Sequence, residues 1–136
     1  MLFRSKQAAD LHSATINQIA ITKVAKACFD DHVSNLRDAY KKRRDYMLDA
    51  LSNHMPDGVT WTQPEGGMFI WLTLPDHMDG ATMLAKSLET QRVAFVPGRA
   101  FHADGSCGNT IRLNFSLPDE ATIEEGIKRL GVLLRG

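Results

Sequence analysis

The chain has 136 residues, the size of one ordinary domain, and such a domain buries roughly two-thirds of its unfolded surface. A hydrophobic fraction of 43% and a charged fraction of 24% are normal for a globular protein, and 16 basic residues balance 16 acidic ones. Zero formal charge argues against nucleic-acid or membrane-surface binding through bulk charge. No apolar run approaches the ~20 residues of a membrane span, and "MLFRSKQAADLHS" lacks the apolar stretch of a signal peptide.

Residues 13–29 ("SATINQIAITKVAKACF") are predicted as a helix that is apolar over much of its circumference, through Ile16, Ile19, Ala20, Ile21, Val24, Ala27 and Cys28. Such a helix needs cover on more than one side. Residues 31–54 are predicted as a second, longer amphipathic helix, with Val33, Leu36, Tyr40, Met47, Leu51 and Met55 at helical spacing. Asp30 or Asp31 caps its start, and Pro56, Asp57 and Gly58 break it. "VTWT" (59–62) reads as a short strand. "QPEGG" turns the chain into "MFIWLTLP" (68–75), which is apolar on both faces and therefore expected at the centre of a sheet.

A helix over 81–91 and the strand "VAFVP" (93–97) follow, then the turn-rich loop "GRAFHADGSCG". "NTIRLNFS" (109–116) alternates cleanly, with Ile111, Leu113 and Phe115 on one side and Thr110, Arg112, Asn114 and Ser116 on the other. "PDEATIEEGIKRLGVLLR" is a C-terminal helix with Ile123, Ile127, Leu130 and Leu134 on one face, capped by Asp119 or by the pair Thr122 and Glu125. The order implies an α+β fold: a small, mostly antiparallel sheet covered by helices, with two long N-terminal helices and a C-terminal helix, in a single domain over 1–136.

Few residues suggest chemistry. "KKRR" (41–44) lies mid-helix among Asp38, Asp45 and Asp49, as a solvated face does. His12, His32, His54, His77 and His102 lack metal-ligand spacing, and Cys28 and Cys107 read as reduced cytosolic thiols. GxSxG, P-loop and GxGxxG patterns are missing, and Ser5-Lys6 has nothing around it to mark a Schiff-base lysine. Phe69, Trp71 and Phe95 fall on strands and are expected in the core. Arg112 is left with two readings. It is either an arginine on a solvated strand face or, given Asn114, Ser116 and the preceding glycine-bearing loop, a carboxylate anchor whose planar fork binds two oxygens at once.

"KQAADLHS" (6–13), "EGGMFIWLTLP" (65–75), "VAFVPGRAFHADG" (93–105), "NTIRLNFS" (109–116) and "IEEGIKRLGVLL" (123–134) occur in this order along the chain. Together they resemble the C-terminal part of fold-type I pyridoxal-phosphate-dependent aminotransferases of class I/II, in the branch of 2-aminoadipate, kynurenine and aromatic aminotransferases. The resemblance implies that Arg112 grips the α-carboxylate of the amino-acid and 2-oxo-acid substrates. It makes Pro97, Gly98 and Phe101 shaping residues of the site, with Asn114 beside them, and gives Gly66 and Gly67 the tight entry to the central strand. It also places the catalytic lysine, the phosphate-binding residues and the residues that hold the cofactor ring upstream of the "DLH" segment.

The chain is therefore expected to be a substrate-side fragment, with residues 1–30 linking it to a large domain. The resemblance implies pyridoxal phosphate in the parent, none bound to this chain, and no transamination by the chain alone. The parent is expected to be a cytoplasmic homodimer, and the exposed first helix to favour self-association. A second parent carries similar motifs, a transcription regulator that fuses a winged-helix domain to a cofactor-sensing aminotransferase-like domain.

Overall fold

The computed structural model describes residues 4–5, 8–9 and 12–136. Lys6 of the Schiff-base reading, and Asp10 and Leu11 of the "DLH" segment, lie outside the described residues. By its internal contacts the chain divides into two units, Met1–Arg37 and Asp38–Gly136.

A single helix, α1, runs over Thr15–His54. The two N-terminal helices expected from the sequence are thus one. Asp30 and Asp31 stay helical because no glycine or proline interrupts residues 15–54, and an acidic pair alone does not break a helix. The helix stops where Pro56 and Gly58, the latter at φ +85°, forbid another turn. In the first unit Ile16, Ile19, Ile21, Val24 and Phe29 of α1 are each more than half exposed.

The second unit is built on a four-stranded sheet in the order β1-β2-β4-β3, with every pairing antiparallel. The strands are β1 (Thr60–Trp61), β2 (Phe69–Thr73), β3 (Val96–Pro97) and β4 (Thr110–Asn114). β2 is central, as its two-sided apolar pattern requires, and pairs with β4 over five residues from Phe69↔Asn114 to Thr73↔Thr110. Hydrogen bonds from Phe115 N to Met68 O (3.1 Å) and from Leu74 N to Asn109 O (2.8 Å) extend the pairing beyond both ends.

Between β2 and β3 lies α2 (Gly80–Thr90), and α3 (Glu120–Arg135) closes the chain. Both helices start on an aspartate cap. Asp79 accepts from Thr82 N at 2.9 Å and Asp119 from Thr122 N at 2.8 Å, so of the two caps open to α3 the aspartate is the one used.

One face of the sheet carries the core. Ile70, Leu72, Ile111 and Leu113 from the strands join Met47, Ala50 and Leu51 of α1 and Ile123, Ile127, Leu130, Leu133 and Leu134 of α3 in one buried cluster, with Phe95 and Phe115. The expected solvated face at "KKRR" holds only in part. Lys41 pairs with Asp45 at 2.9 Å and Lys42 with Glu120 at 2.6 Å on the surface, whereas the half-buried Arg43 and Arg44 donate to the carbonyls of Ser116 and Pro64. Those two arginines stitch α1 to the segments that enter and leave the sheet.

The two glycines of α3 differ in a way that can be measured. A Cβ on Gly131 would strike the His54 carbonyl, while one on Gly126 meets open space. Gly126→Ala is expected to stabilise by about 0.5–1 kcal/mol through helix propensity. Gly131→Ala is expected to destabilise by roughly 1–3 kcal/mol as the helix is pushed off α1. Urea unfolding midpoints of the two variants check this pair of opposite signs.

Candidate functional site

The same alternation that buries Ile111 and Leu113 turns Arg112 to the opposite face of the sheet. Register places Trp71 on β2 and Val96 on β3 directly beside it, and Phe69 lies one step along the same face of β2. Phe69 and Trp71 are half-buried on this open face rather than in the core, which corrects the expectation drawn from their position on a strand. Apolar residues on both sides of β2 made the two faces look alike. Phe95, by contrast, is buried as expected.

Arg112 is the centre of an aromatic cluster. Its Cζ stands 3.9 Å from the centroid of the Phe69 ring and 4.2 Å from that of Phe101, distances at which a cation is held by the ring face. Phe101 in turn meets Trp71 edge-on, with centroids 5.3 Å apart and planes at 80°. The Nε atom of Arg112 is shut off from solvent and has no hydrogen-bond partner. Among the described residues the guanidinium makes no ion pair.

Phe101 arrives by way of a 3-10 turn, Gly98–Phe101, that follows Pro97 at the end of β3. Gly98 is where no side chain fits: a Cβ there would fall on Thr110 Oγ1 and come within 2.9 Å of the Trp71 ring. That close approach lets the turn lie against the sheet and deliver Phe101 to Arg112. The turn is also tied to the start of α2, because Arg99 reaches Asp79 at 3.1 Å.

Of the sequence-predicted residues, Arg112 and Phe101 are in contact, Gly98 lies in the turn that carries Phe101, and Pro97 pairs with Ile111, a residue of the buried face. Asn114 shares the face of Arg112, opposite Phe69, but its Oδ1 accepts from Ser116 N at 2.6 Å and so closes the turn after β4. Gly67, at φ +78°, sits in the entry to β2, where only glycine is at ease. The residues missed were Phe69 and Trp71. The signal that could have found them was the register of β2 against β4, which puts both on the arginine's side.

Asp79 serves as both cap and ion-pair partner. Hydrogen bonds from the backbone and hydroxyl of Thr82, with the charge of Arg99 adding to them, hold its carboxyl below the usual value of 3.8. A carboxylate depressed by folding contributes stability above its unfolded pKa and loses it as pH falls through the folded value. Wild-type stability should therefore decline below about pH 4. In Asp79→Asn that part of the decline should vanish, with urea midpoints taken between pH 2 and 6 as the check.

The sequence matches the family model "Aminotransferase class I and II" over residues 3–130. The chain is 46% identical over 132 residues to "Aromatic-amino-acid aminotransferase 1" of Thermococcus litoralis, a stretch covering 96% of this chain and 31% of that protein. Two solved structures align with nearly all of it. The Pyrococcus horikoshii kynurenine aminotransferase is 47% identical with a TM-score of 0.88, over 96% of this chain and 32% of that one. LysN, the α-aminoadipate aminotransferase of Thermus thermophilus, was solved with N-(5'-phosphopyridoxyl)-L-leucine. It is 38% identical with a TM-score of 0.89, over 97% of this chain and 34% of that one. A lower likeness, 28% identity over 122 residues, links the chain to the HTH-type transcriptional regulator NorG of Staphylococcus aureus, 89% of this chain and 27% of that protein.

The protein belongs to the class I and II aminotransferases. It spans about a third of the length of the relatives it matches.

Proposed function

We propose that the chain is the substrate-side, C-terminal part of a pyridoxal-phosphate-dependent aminotransferase, and that Arg112 binds the α-carboxylate of its amino-acid and 2-oxo-acid substrates. The observation that carries this reading is a guanidinium held between two aromatic rings with no carboxylate partner among the described residues. Arginine suits the task because its planar fork matches two carboxylate oxygens and its charge never leaves at working pH.

Pyridoxal phosphate, the family's cofactor, supplies the electron sink for amino-group transfer when it is bound. The described residues do not make a seat for it. The sheet's open face presents Phe69, Trp71, Thr73, Thr110, Arg112 and Asn114, with no lysine to bond the cofactor aldehyde, and the one cation there is spoken for by the substrate. The part this chain plays is to bind and orient: Arg112 fixes one end of the substrate so that the amino group is presented elsewhere. The lysine and phosphate contacts are then contributed by a large domain, in a parent that works as a cytoplasmic homodimer.

The likeness to NorG supports a second parent, a transcription regulator with an aminotransferase-like domain that senses the cofactor. The identities of 46% and 47% to aminotransferases, against 28% to NorG, favour the enzyme.

In the full-length protein, Arg112→Ala is expected to lower kcat/KM for amino-acid substrates by about a hundredfold, the scale of removing one partner of a hydrogen-bonded charge pair. Arg112→Lys should recover little of the loss. The isolated chain mixed with pyridoxal phosphate should transfer no amino group. Steady-state transamination assays measure all three, and an unchanged kcat/KM in Arg112→Ala would overturn the assignment.

A further inference from the structure

At the distances found, an aromatic ring lies against the flat side of a guanidinium rather than beyond its nitrogens, because a ring approached along the plane is held off by the intervening N–H groups. Phe69 and Phe101 both approach that closely. Nε is closed to any incoming ligand, so the edge formed by Nε and one Nη is unavailable. Only the edge between the two Nη atoms is left for an anion. Trp71, edge-on to Phe101 and in register with Arg112, backs the arrangement. The close packing of Gly98 on Thr110 and Trp71 fixes the turn from which Phe101 projects.

We propose that Phe69 and Phe101 are positioning residues that cover the flat sides of the Arg112 guanidinium, so that it takes a planar carboxylate end-on through its two Nη atoms and discriminates against tetrahedral oxyanions. A carboxylate lies in the plane of the fork and clears both rings. A phosphonate or sulfonate that places two oxygens on the fork must direct its third out of the plane, towards a ring. The rings also keep the fork from rotating, so less freedom is lost when the ligand binds. This inference rests on the reading of Arg112 as the carboxylate anchor.

The test has a spectroscopic arm and a kinetic arm. In the chain labelled with 15N-arginine, NMR should show the Arg112 Nη protons as separate signals, slowed in their rotation by the rings. Acetate should shift the Nη signals and leave Nε nearly still, while methylphosphonate should act several-fold more weakly. In Phe101→Ala the Nη signals should merge and the preference for acetate should narrow.

In the full-length protein Phe101→Ala and Phe69→Ala should each raise KM for amino acids about three- to tenfold with a smaller change in kcat, the scale of one lost cation–π contact. Phe101→Tyr, which keeps the ring face, should restore both readouts. Phe101→Leu, which keeps bulk without a ring, serves in place of Phe101→Ala should the latter not fold. If Arg112→Ala weakens substrate binding but the ring variants leave KM, Nη rotation and the acetate preference unchanged, the positioning role is wrong and the anchor stands. If Arg112→Ala is itself without effect, the anchor falls and this inference with it.

Discussion

The pairing of β2 with β4 is the constraint on which everything else hangs. Its register decides at one stroke which side chains enter the core and which form the open face. With Ile70 opposite Leu113 and Leu72 opposite Ile111, the apolar side is buried under α1 and α3. The same pairs oblige Phe69, Trp71, Arg112 and Asn114 to share the other side. A slip of one residue would put the arginine under the helices, where its charge would have no partner. The Asn109 side chain holds that register where β4 begins, donating to the Leu74 carbonyl at 2.9 Å.

Much of this was legible in the chain itself. The alternation of "NTIRLNFS" gave both the strand and the orientation of Arg112, and Asp119 was one of the two caps open to α3. Of the residues named from motif resemblance, Arg112 and Phe101 meet in space, and Gly98 lies in the turn that carries Phe101. What escaped was long-range. Whether residues 13–29 and 31–54 form one helix or two depends on whether anything breaks the chain at Asp30 and Asp31, and side-chain chemistry alone overvalued those two caps. Phe69 and Trp71 were misplaced because periodicity is blind on a strand that is apolar on both sides. Only the partner strand reveals which aromatic ring faces a charge.

Family membership gives the open face its meaning, and physical chemistry narrows it. A charged group set among rings, with no counter-ion among the described residues, is uncommon within a domain, since proteins usually pair such charges. Here the covering residues come from two separate places, β2 and the turn after β3, and the residue they cover lies on β4. An arrangement so distributed depends on the backbone framework rather than on any local sequence run. Gly98 has no chemistry of its own, yet it is where that framework is tightest.

The margins of the sheet have a consequence of another kind. β1 and β3 are only two residues long, and β3 ends in Pro97, which has no N–H to offer a neighbouring strand. A border so short and so poor in donors gives another extended chain little to zip onto, the usual defence against edge-to-edge aggregation. Copies of this chain that associate are thereby steered away from continuing the sheet. The exposed isoleucines, valine and phenylalanine of α1 offer apolar surface instead, so contacts between copies should take the form of helix packing and not of a growing β-ribbon.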